Sequence, residues 1–301
     1  MSCGAPAEPA PTQPWRKVLY QRQPYPDNYV ANAFLEDLKK NVRVTLWTRW
    51  EAISGAAALL QQMASVALVG LAFAHLDDGS LPPEPLLAGI AVSTAAGYAW
   101  LRAGGGRRSL AADLRLAAVF LVFGYGLSPL LATLTDSVST DSVYALAAAA
   151  MLLHLVTHEY GPRAACVSAA VSLNAGLFGA LCLASRLPGT GHVFAFLTLA
   201  AQLLALPPPL RAHVRRRHGR AALLLLASAQ ANASLLLLVC RTLAGAVLLA
   251  AAYLLACPLL PMLYVSGQRF KDNIYGPWDE AILEDTRQTI RRDDRRRCES
   301  E

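Results

Sequence analysis

Eight apolar runs recur along the chain, at about Trp50–Ala74, Leu86–Leu101, Leu116–Leu134, Val143–Val156, Ala164–Leu183, His192–Leu210, Ala221–Val239 and Leu243–Val265. A single water-soluble core cannot hide them, because 54% of the 301 residues are hydrophobic and only 16% are charged. Soluble domains average about a quarter charged. In hydrocarbon the backbone must satisfy its own hydrogen bonds, so each run is read as a helix, and a spanning helix needs roughly 20 apolar residues. The expected fold class is all-α, a polytopic transmembrane helical bundle of about eight spans, in which the second and fourth runs are short.

Positive charge orders the loops, since short cytoplasmic loops are enriched in Lys and Arg. All but two of the 27 Lys and Arg residues, Arg186 and Arg241, fall in alternate segments between the runs. These segments are the N-terminal stretch, the loop around Gly104–Gly106, the loop with Arg163, the cluster Arg211, Arg215, Arg216, Arg217 and Arg220, and the C-terminal tail. Both termini are therefore expected in the cytosol. The net charge of +6 does not indicate nucleic acid, because the basic residues alternate with spans and have no aromatic platform for bases.

Residues 1–14 are rich in Ala and Pro and are expected to be disordered. Residues 15–49 form a cytosolic N-terminal segment in which Pro24 and Pro26 impose an extended path and Asp27 or Asn28 is placed to cap a helix. Val30, Phe34, Leu38, Val42 and Leu46 then recur every four residues. That is the pattern of an amphipathic helix lying at the membrane interface or docked on a partner. Residues 50–265 make the transmembrane helical domain, and 266–301 a cytosolic C-terminal tail.

Between the third and fourth runs, Leu121–Ala145 contains Gly124, Gly126, Ser128-Pro129, six further hydroxyl residues and the carboxylates Asp136 and Asp141, with no Lys or Arg. Proline removes a backbone donor and short hydroxyl side chains compete for backbone groups, which predicts a bent helix, a polar turn and a new helix capped by Thr140 or Asp141. Ser128, Asp136 and Asp141 are accordingly read as structural polar groups. The fifth run carries Ser168, Ser172, Gly176, Ala180 and Ala184 at every fourth position. A ridge of small residues lets helices approach closely in lipid, so this run is expected to pack centrally, with Asn174 in an interhelical hydrogen bond.

Ionisable residues inside spans are candidate sites. His154 and His158 share a helix face, but no third metal ligand accompanies them. Asp136 and Asp141 could serve acid–base chemistry, although a capping role explains them more simply. No Walker loop, nucleophile elbow or dinucleotide fingerprint is visible, and no soluble domain could hold a sugar nucleotide. No catalytic residue, metal site or cofactor is assigned.

Four stretches carry a likeness: KVLYQRQPYPDNYV at 17–30, SPLLATLTDSVSTDSVYA at 128–145, SLNAGLFGALCLASRLP at 172–188 and NIYGPWDEA at 273–281. In order and spacing the chain closely resembles the PIG-C family, polytopic subunits of the phosphatidylinositol N-acetylglucosaminyltransferase complex. The likeness runs from about Trp15 to Leu283. It implies a non-catalytic membrane subunit, multi-pass in the endoplasmic reticulum, for the transfer of N-acetylglucosamine from UDP-GlcNAc to phosphatidylinositol in GPI-anchor biosynthesis. The implied partners are PIG-A as the catalytic subunit, PIG-H, PIG-P, PIG-Q, PIG-Y and a dolichol-phosphate-mannose synthase subunit, with phosphatidylinositol in the membrane.

On this reading the lipid- or partner-binding candidates lie on the cytosolic side. They are Tyr20, Arg22, Gln23, Tyr25, Asp27, Asn28 and Tyr29, together with Asn273, Gly276, Pro277, Trp278, Asp279 and Glu280. Two other classes remain open. A lipid transporter or scramblase would use the polar positions of the fifth and seventh runs as a path, the latter being Ser228, Gln230, Asn232 and Ser234. A membrane-embedded transferase would enclose His154 and Asn174 in a chamber.

Overall fold

The computed structural model describes residues 22–25, 29, 39–41, 46–103, 109–133, 135, 137–160, 168–272 and 274–275. They fall into two units, Trp47–Gly267 and a smaller one drawn from Met1–Leu46 and Gln268–Glu301. The larger unit is helical: α1 Arg49–Asp77, α2 Pro83–Ala103, α3 Leu110–Ala132, α4 Thr140–Thr157, α5 Ala169–Ala184, α6 Thr190–Ala205, α7 Pro207–Val239, α8 Leu243–Leu254 and α9 Leu260–Gly267. A π-helical turn at Leu255–Leu259, around Pro258, joins α8 to α9.

Among the described residues six helical stretches are long and apolar enough to cross a membrane: α1 to α4, α7, and Leu243–Phe270 taken together. The short runs are not the expected ones. The second and fourth become helices of 21 and 18 residues, because α2 starts at Pro83 and α4 starts just after a Ser139 cap, taking in residues that hydropathy alone leaves in loops. Instead α5 and α6 have 16 residues each, roughly 24 Å at 1.5 Å per residue and below the ~30 Å of a hydrocarbon core.

Three prolines explain the end of α6. Pro207, Pro208 and Pro209 bring no N–H to its ladder, yet proline suits the first turn of a new helix, and α7 begins there. Much of the arginine cluster is therefore helical rather than looped. Gly219 breaks α7 in two with φ 78° and ψ −170°, a conformation essentially restricted to glycine. Gly219→Ala is expected to lower the detergent melting stability by about 1–3 kcal/mol, since open space around the Cβ position offers no compensating contact. An unchanged melting temperature would contradict the strain.

Two cores flank α1. Its C-terminal half, with Val69, Phe73 and Leu76, packs against Met151 of α4, Ala180 and Ala184 of α5, and Val193, Phe196 and Leu204 of α6. Its N-terminal half, with Ala57, Leu60 and Ala64, packs against Val214, Leu223, Ala227 and Ala231 of α7, Tyr253 of α8 and Cys257. Lipid tails are as apolar as leucine, so close packing and hydrogen bonds hold such helices together. Gln230 Nε2 donates to Ser65 Oγ at 2.8 Å, and Ser234 shares a 2.8 Å hydrogen bond with Tyr253. These two polar groups of α7 are spent between helices, whereas Asn232 is exposed.

The ridge of α5 is central as expected: Ser172, Gly176, Ala180 and Ala184 are all buried. A Cβ on Gly179 would lie 3.1 Å from the Ala147 carbonyl oxygen, and one on Gly176 would lie 3.0 Å from His154 Nδ1. Asn174 does not fulfil its expected role. Two positions from Ser172 is some 200° around a helix, so Asn174 is exposed on the opposite face, with no partner among the described residues.

The polar turn forms as anticipated, with one correction. Pro129 stands within α3, which ends at Ala132, and Ser128 is buried with its hydroxyl donating to the Gly124 carbonyl at 2.7 Å. The cap of α4 is Ser139, which accepts from the Ser142 N–H at 3.4 Å, and not Thr140 or Asp141. The serine is the last residue with extended backbone, as an N-cap requires. Asp141 is exposed in the first turn, a favourable place for a carboxylate. Asp136 lies outside the described residues.

The two basic residues that break the alternation both anchor loops. Arg186 Nη2 donates to the Thr135 and Val138 carbonyls at 3.0 and 2.5 Å. Arg241 ion-pairs with Asp78, whose carboxyl is held down at about 2 by hydrogen bonds to Ser80 and then by Arg241. Loops that the charge pattern places on one side of the membrane thus meet one another.

In the smaller unit, β1 Lys39–Lys40 pairs antiparallel with β2 Ile274–Tyr275, and Asn41 Nδ2 donates to Asp272 Oδ1 at 3.0 Å. Asn41 has φ 57°, a left-handed conformation that asparagine tolerates. The expected amphipathic helix over Val30–Leu46 is therefore interrupted at residues 39–41, where Lys39 and Lys40 pair with a strand and Asn41 is left-handed. Residues 30–38 and 42–45 of that stretch lie outside the described residues.

Candidate functional site

Five helices converge on one polar cluster. Gln61 and Gln62 come from mid-α1, His154 from the last turn of α4 with His158 as its C-cap, Ser172 from the first turn of α5, and Arg211 from the first segment of α7. All six side chains are buried, Arg211 with only 7% of its surface exposed. The end of α6 contributes Leu204 and Ala205 to the same region. Gly176 admits the imidazole of His154, since any side chain there would meet that ring and Leu204.

The hydrogen bonds fix the protonation of both histidines. Arg211 can only donate, so His158 Nε2, 2.6 Å from its Nη2, is an acceptor. The His158 proton is then on Nδ1, directed at Ser172 Oγ at 3.3 Å, and the serine hydroxyl donates to the His154 carbonyl at 3.1 Å. His154 Nδ1 faces the Ser172 carbonyl at 2.7 Å and must donate to it. Its Nε2 accepts from Gln62 Nε2 at 2.5 Å, and Gln62 Oε1 in turn accepts from Arg211 Nη1 at 3.2 Å. The circuit is closed with both imidazoles neutral. Gln61 Oε1 adds a long contact to Arg211 at 3.5 Å.

Electrostatics agree with that assignment. Burial first, then the charge of Arg211 and the neighbouring His154, push His158 down to about 4. Tyr160, 5.1 Å from His158 between ring centroids, is pushed up to about 12 by burial. A histidine whose folded pKa is depressed binds fewer protons when folded than when unfolded, so stability falls as pH falls. The contribution of His158 is fully present above pH ~6.5, the unfolded value, and is lost progressively toward about 4. His158→Gln, which keeps an acceptor for Arg211, is expected to flatten the melting temperature between those pH values. An equally steep profile in the variant would contradict this.

Beside the circuit opens a cavity of about 380 Å³. His154, His158, Tyr160, Ser172, Arg211 and Arg215 supply its polar lining, Ala58, Leu173, Leu204 and Leu223 an apolar wall, and the exposed Glu159 also borders it. The ion pairs among the described residues are Arg220 with Glu51 and Arg241 with Asp78. Arg211 is in neither. No group of three or more His, Cys, Asp or Glu suited to a metal occurs among the described residues.

Of the residues singled out in the sequence, the structure brings His154 and His158 to the cavity but not Asn174. Arg22, Gln23, Tyr25 and Tyr29 are described in the smaller unit, where the rings of Tyr25 and Tyr29 lie 4.2 Å apart. Tyr20, Asp27, Asn28, Asn273, Gly276, Pro277, Trp278, Asp279 and Glu280 lie outside the described residues. The β1–β2 ladder does bring the N-terminal segment and the C-terminal tail together.

Arg211, Gln61, Gln62 and Tyr160 were not anticipated. Two adjacent amides in the middle of an apolar run were the available signal, because lipid offers them no partner. Arg211 was submerged in the charge cluster, although Ala212, His213 and Val214 set it apart from the other arginines.

This architecture defines a class, that of polytopic helical membrane proteins with a buried polar network at one end of the bundle. The family phosphatidylinositol N-acetylglucosaminyltransferase, GPI2, matches residues 15–279, and the chain belongs to it. It is 39% identical over 292 residues to the bovine protein named as the C subunit of phosphatidylinositol N-acetylglucosaminyltransferase, covering 94% of this chain and 97% of that one. The human protein of that name is 40% identical over 280 residues, covering 90% and 93%. A fission yeast protein, Schizosaccharomyces pombe phosphatidylinositol N-acetylglucosaminyltransferase GPI2 subunit, is 28% identical over 283 residues, covering 90% and 87%. No solved structure matches.

Proposed function

We propose that this chain is a non-catalytic membrane subunit of the complex that transfers N-acetylglucosamine from UDP-GlcNAc to phosphatidylinositol, the first step of GPI-anchor biosynthesis. It scaffolds the catalytic subunit and presents the lipid at the cytosolic face of the endoplasmic reticulum. The observation that carries this reading is full-length kinship with proteins named as the C subunit of that transferase, in a chain whose larger unit is built of apolar helices. Such a body suits holding and presenting a lipid, and leaves the sugar nucleotide to another subunit. The resemblance makes PIG-A that subunit, with PIG-H, PIG-P, PIG-Q, PIG-Y and the dolichol-phosphate-mannose synthase subunit as further partners.

The cytosolic contact surface in this reading comprises the 20–29 and 273–280 segments. The pairing of β1, ten residues after the first segment, with β2 inside the second supports treating them as one surface. Trp278→Ala and Asp279→Asn are expected to insert normally but to reduce recovery of the other subunits, or transfer activity, at least severalfold in material captured through this chain. Wild-type recovery and activity in both variants would remove that surface from the proposal. A scramblase is less well supported, since Gln230 and Ser234 bond to neighbouring helices and do not line a path.

A further inference from the structure

We infer that the cavity at Arg211 binds the phosphodiester of an anionic glycerophospholipid, with its polar head at Arg211 and Arg215 and its apolar part against Leu173, Leu204 and Leu223. This rests on the reading of the chain as the lipid-presenting subunit and gives that reading a site.

The first argument is charge. A guanidinium in a buried site is costly unless paired. Arg211 is 7% exposed, and its partners Gln61, Gln62 and His158 are all neutral. No carboxylate among the described residues comes within 4.0 Å of it. The neutral-acceptor role of His158 follows from geometry alone, so the histidine does not supply the missing charge. Among the described residues no anion balances this cation, and in the proposal the lipid phosphodiester supplies it.

The second argument is donor geometry. Arginine presents five N–H groups in a planar fork that matches phosphate. The contacts of Arg211 use Nη1 and one N–H of Nη2. Nε and the second N–H of Nη2 have no partner among the described residues. Arg215, one turn along the same helix face, borders the same cavity and is exposed, adding a second cation at the rim.

The third argument is shape and polarity. A volume of about 380 Å³ lies in the ~300–1,000 Å³ range of ligand pockets. One wall is apolar, contributed by α5, α6 and α7, while the cations lie where the apolar sequence of α7 has not yet begun. A free phosphate or sugar nucleotide would leave that wall unused. An amphiphile with a phosphate at its polar junction uses both.

The test is saturable binding to the complex captured through this chain in detergent. The probes are dioleoyl phosphatidylinositol in mixed micelles, dioleoyl phosphatidylcholine as the zwitterionic control, and inorganic phosphate and UDP-GlcNAc as water-soluble phosphates. Binding of phosphatidylinositol is expected to fall at least tenfold in Arg211→Gln and severalfold in Arg215→Gln, with little binding of phosphatidylcholine to the same site. Arg215 is exposed, so its variant reports on the site even if Arg211→Gln folds poorly. Unchanged phosphatidylinositol binding in Arg215→Gln and in any folded Arg211→Gln would overturn the inference. So would Arg211-dependent binding of inorganic phosphate or UDP-GlcNAc as tight as that of the lipid. Either result, with transfer activity still confined to the complex, would remove this site and leave the non-catalytic subunit reading standing.

Discussion

Gly179→Val is expected to abolish recovery of folded protein. The Cβ position already lies 3.1 Å from the Ala147 carbonyl oxygen, 3.2 Å from Met151 Cε and 3.3 Å from Ala150 Cβ. Two of these neighbours are backbone or the first atom of a side chain, so neither can swing away, and valine adds two more carbons to a space that lacks room for one. Overpacking of this kind costs about 1–3 kcal/mol and occasionally more. Here the cost falls on the α4–α5 contact, which also positions His154 and Ser172. Fluorescence-detected gel filtration in detergent should show loss of the monodisperse peak. Gly70→Ala is the control, because its Cβ would meet nothing within 4 Å, and there the better helix propensity of alanine should give an unchanged or slightly higher melting temperature. Equal behaviour of the two variants would mean that α4 and α5 do not pack this closely.

Gln62→Leu is the second large effect. The amide joins the two ends of the polar circuit, donating to His154 and accepting from Arg211. Leucine fills a similar volume but leaves a buried imidazole nitrogen without its donor and a buried guanidinium with one acceptor fewer. A buried group left unsatisfied costs about 1–3 kcal/mol, and more when charged, so the loss should exceed about 3 kcal/mol. Thermal melting in detergent reads it directly. Gln61→Leu removes only the long 3.5 Å contact and is expected to cost much less, which separates the circuit from a general intolerance of α1 to substitution. Equal losses at the two positions would contradict the network.

Much of the fold was legible because lipid imposes simple rules. Apolar runs located the helices, and the alternation of basic residues correctly grouped loops that meet, as Arg186 meets Thr135 and Val138 and Arg241 meets Asp78. The small-residue ridge identified α5 as central. Helix ends were less legible. Pro207–Pro209 falls inside the sixth apolar run, His192–Leu210, but starts a new helix, and it carries Arg211 into the bundle. Lys39–Lys40 falls within a helical repeat yet pairs with Ile274–Tyr275, since a four-residue period cannot reveal a partner more than 200 positions away.

The candidate site was the least visible part. His154 stood out alone as an ionisable group in a span. Gln62, Ser172, His158 and Arg211 each have an ordinary local explanation, and only the packing of α1, α4, α5 and α7 makes them one network.

The central claim is that the chain serves transfer without performing it. UDP-GlcNAc-dependent transfer to phosphatidylinositol should be measured for the complex captured through this tagged chain and for the purified chain alone. Activity is expected in the captured complex and none in the lone chain. Turnover by the lone chain would contradict it, and would make the cavity at His154, His158 and Arg211 the first place to look for the reacting groups.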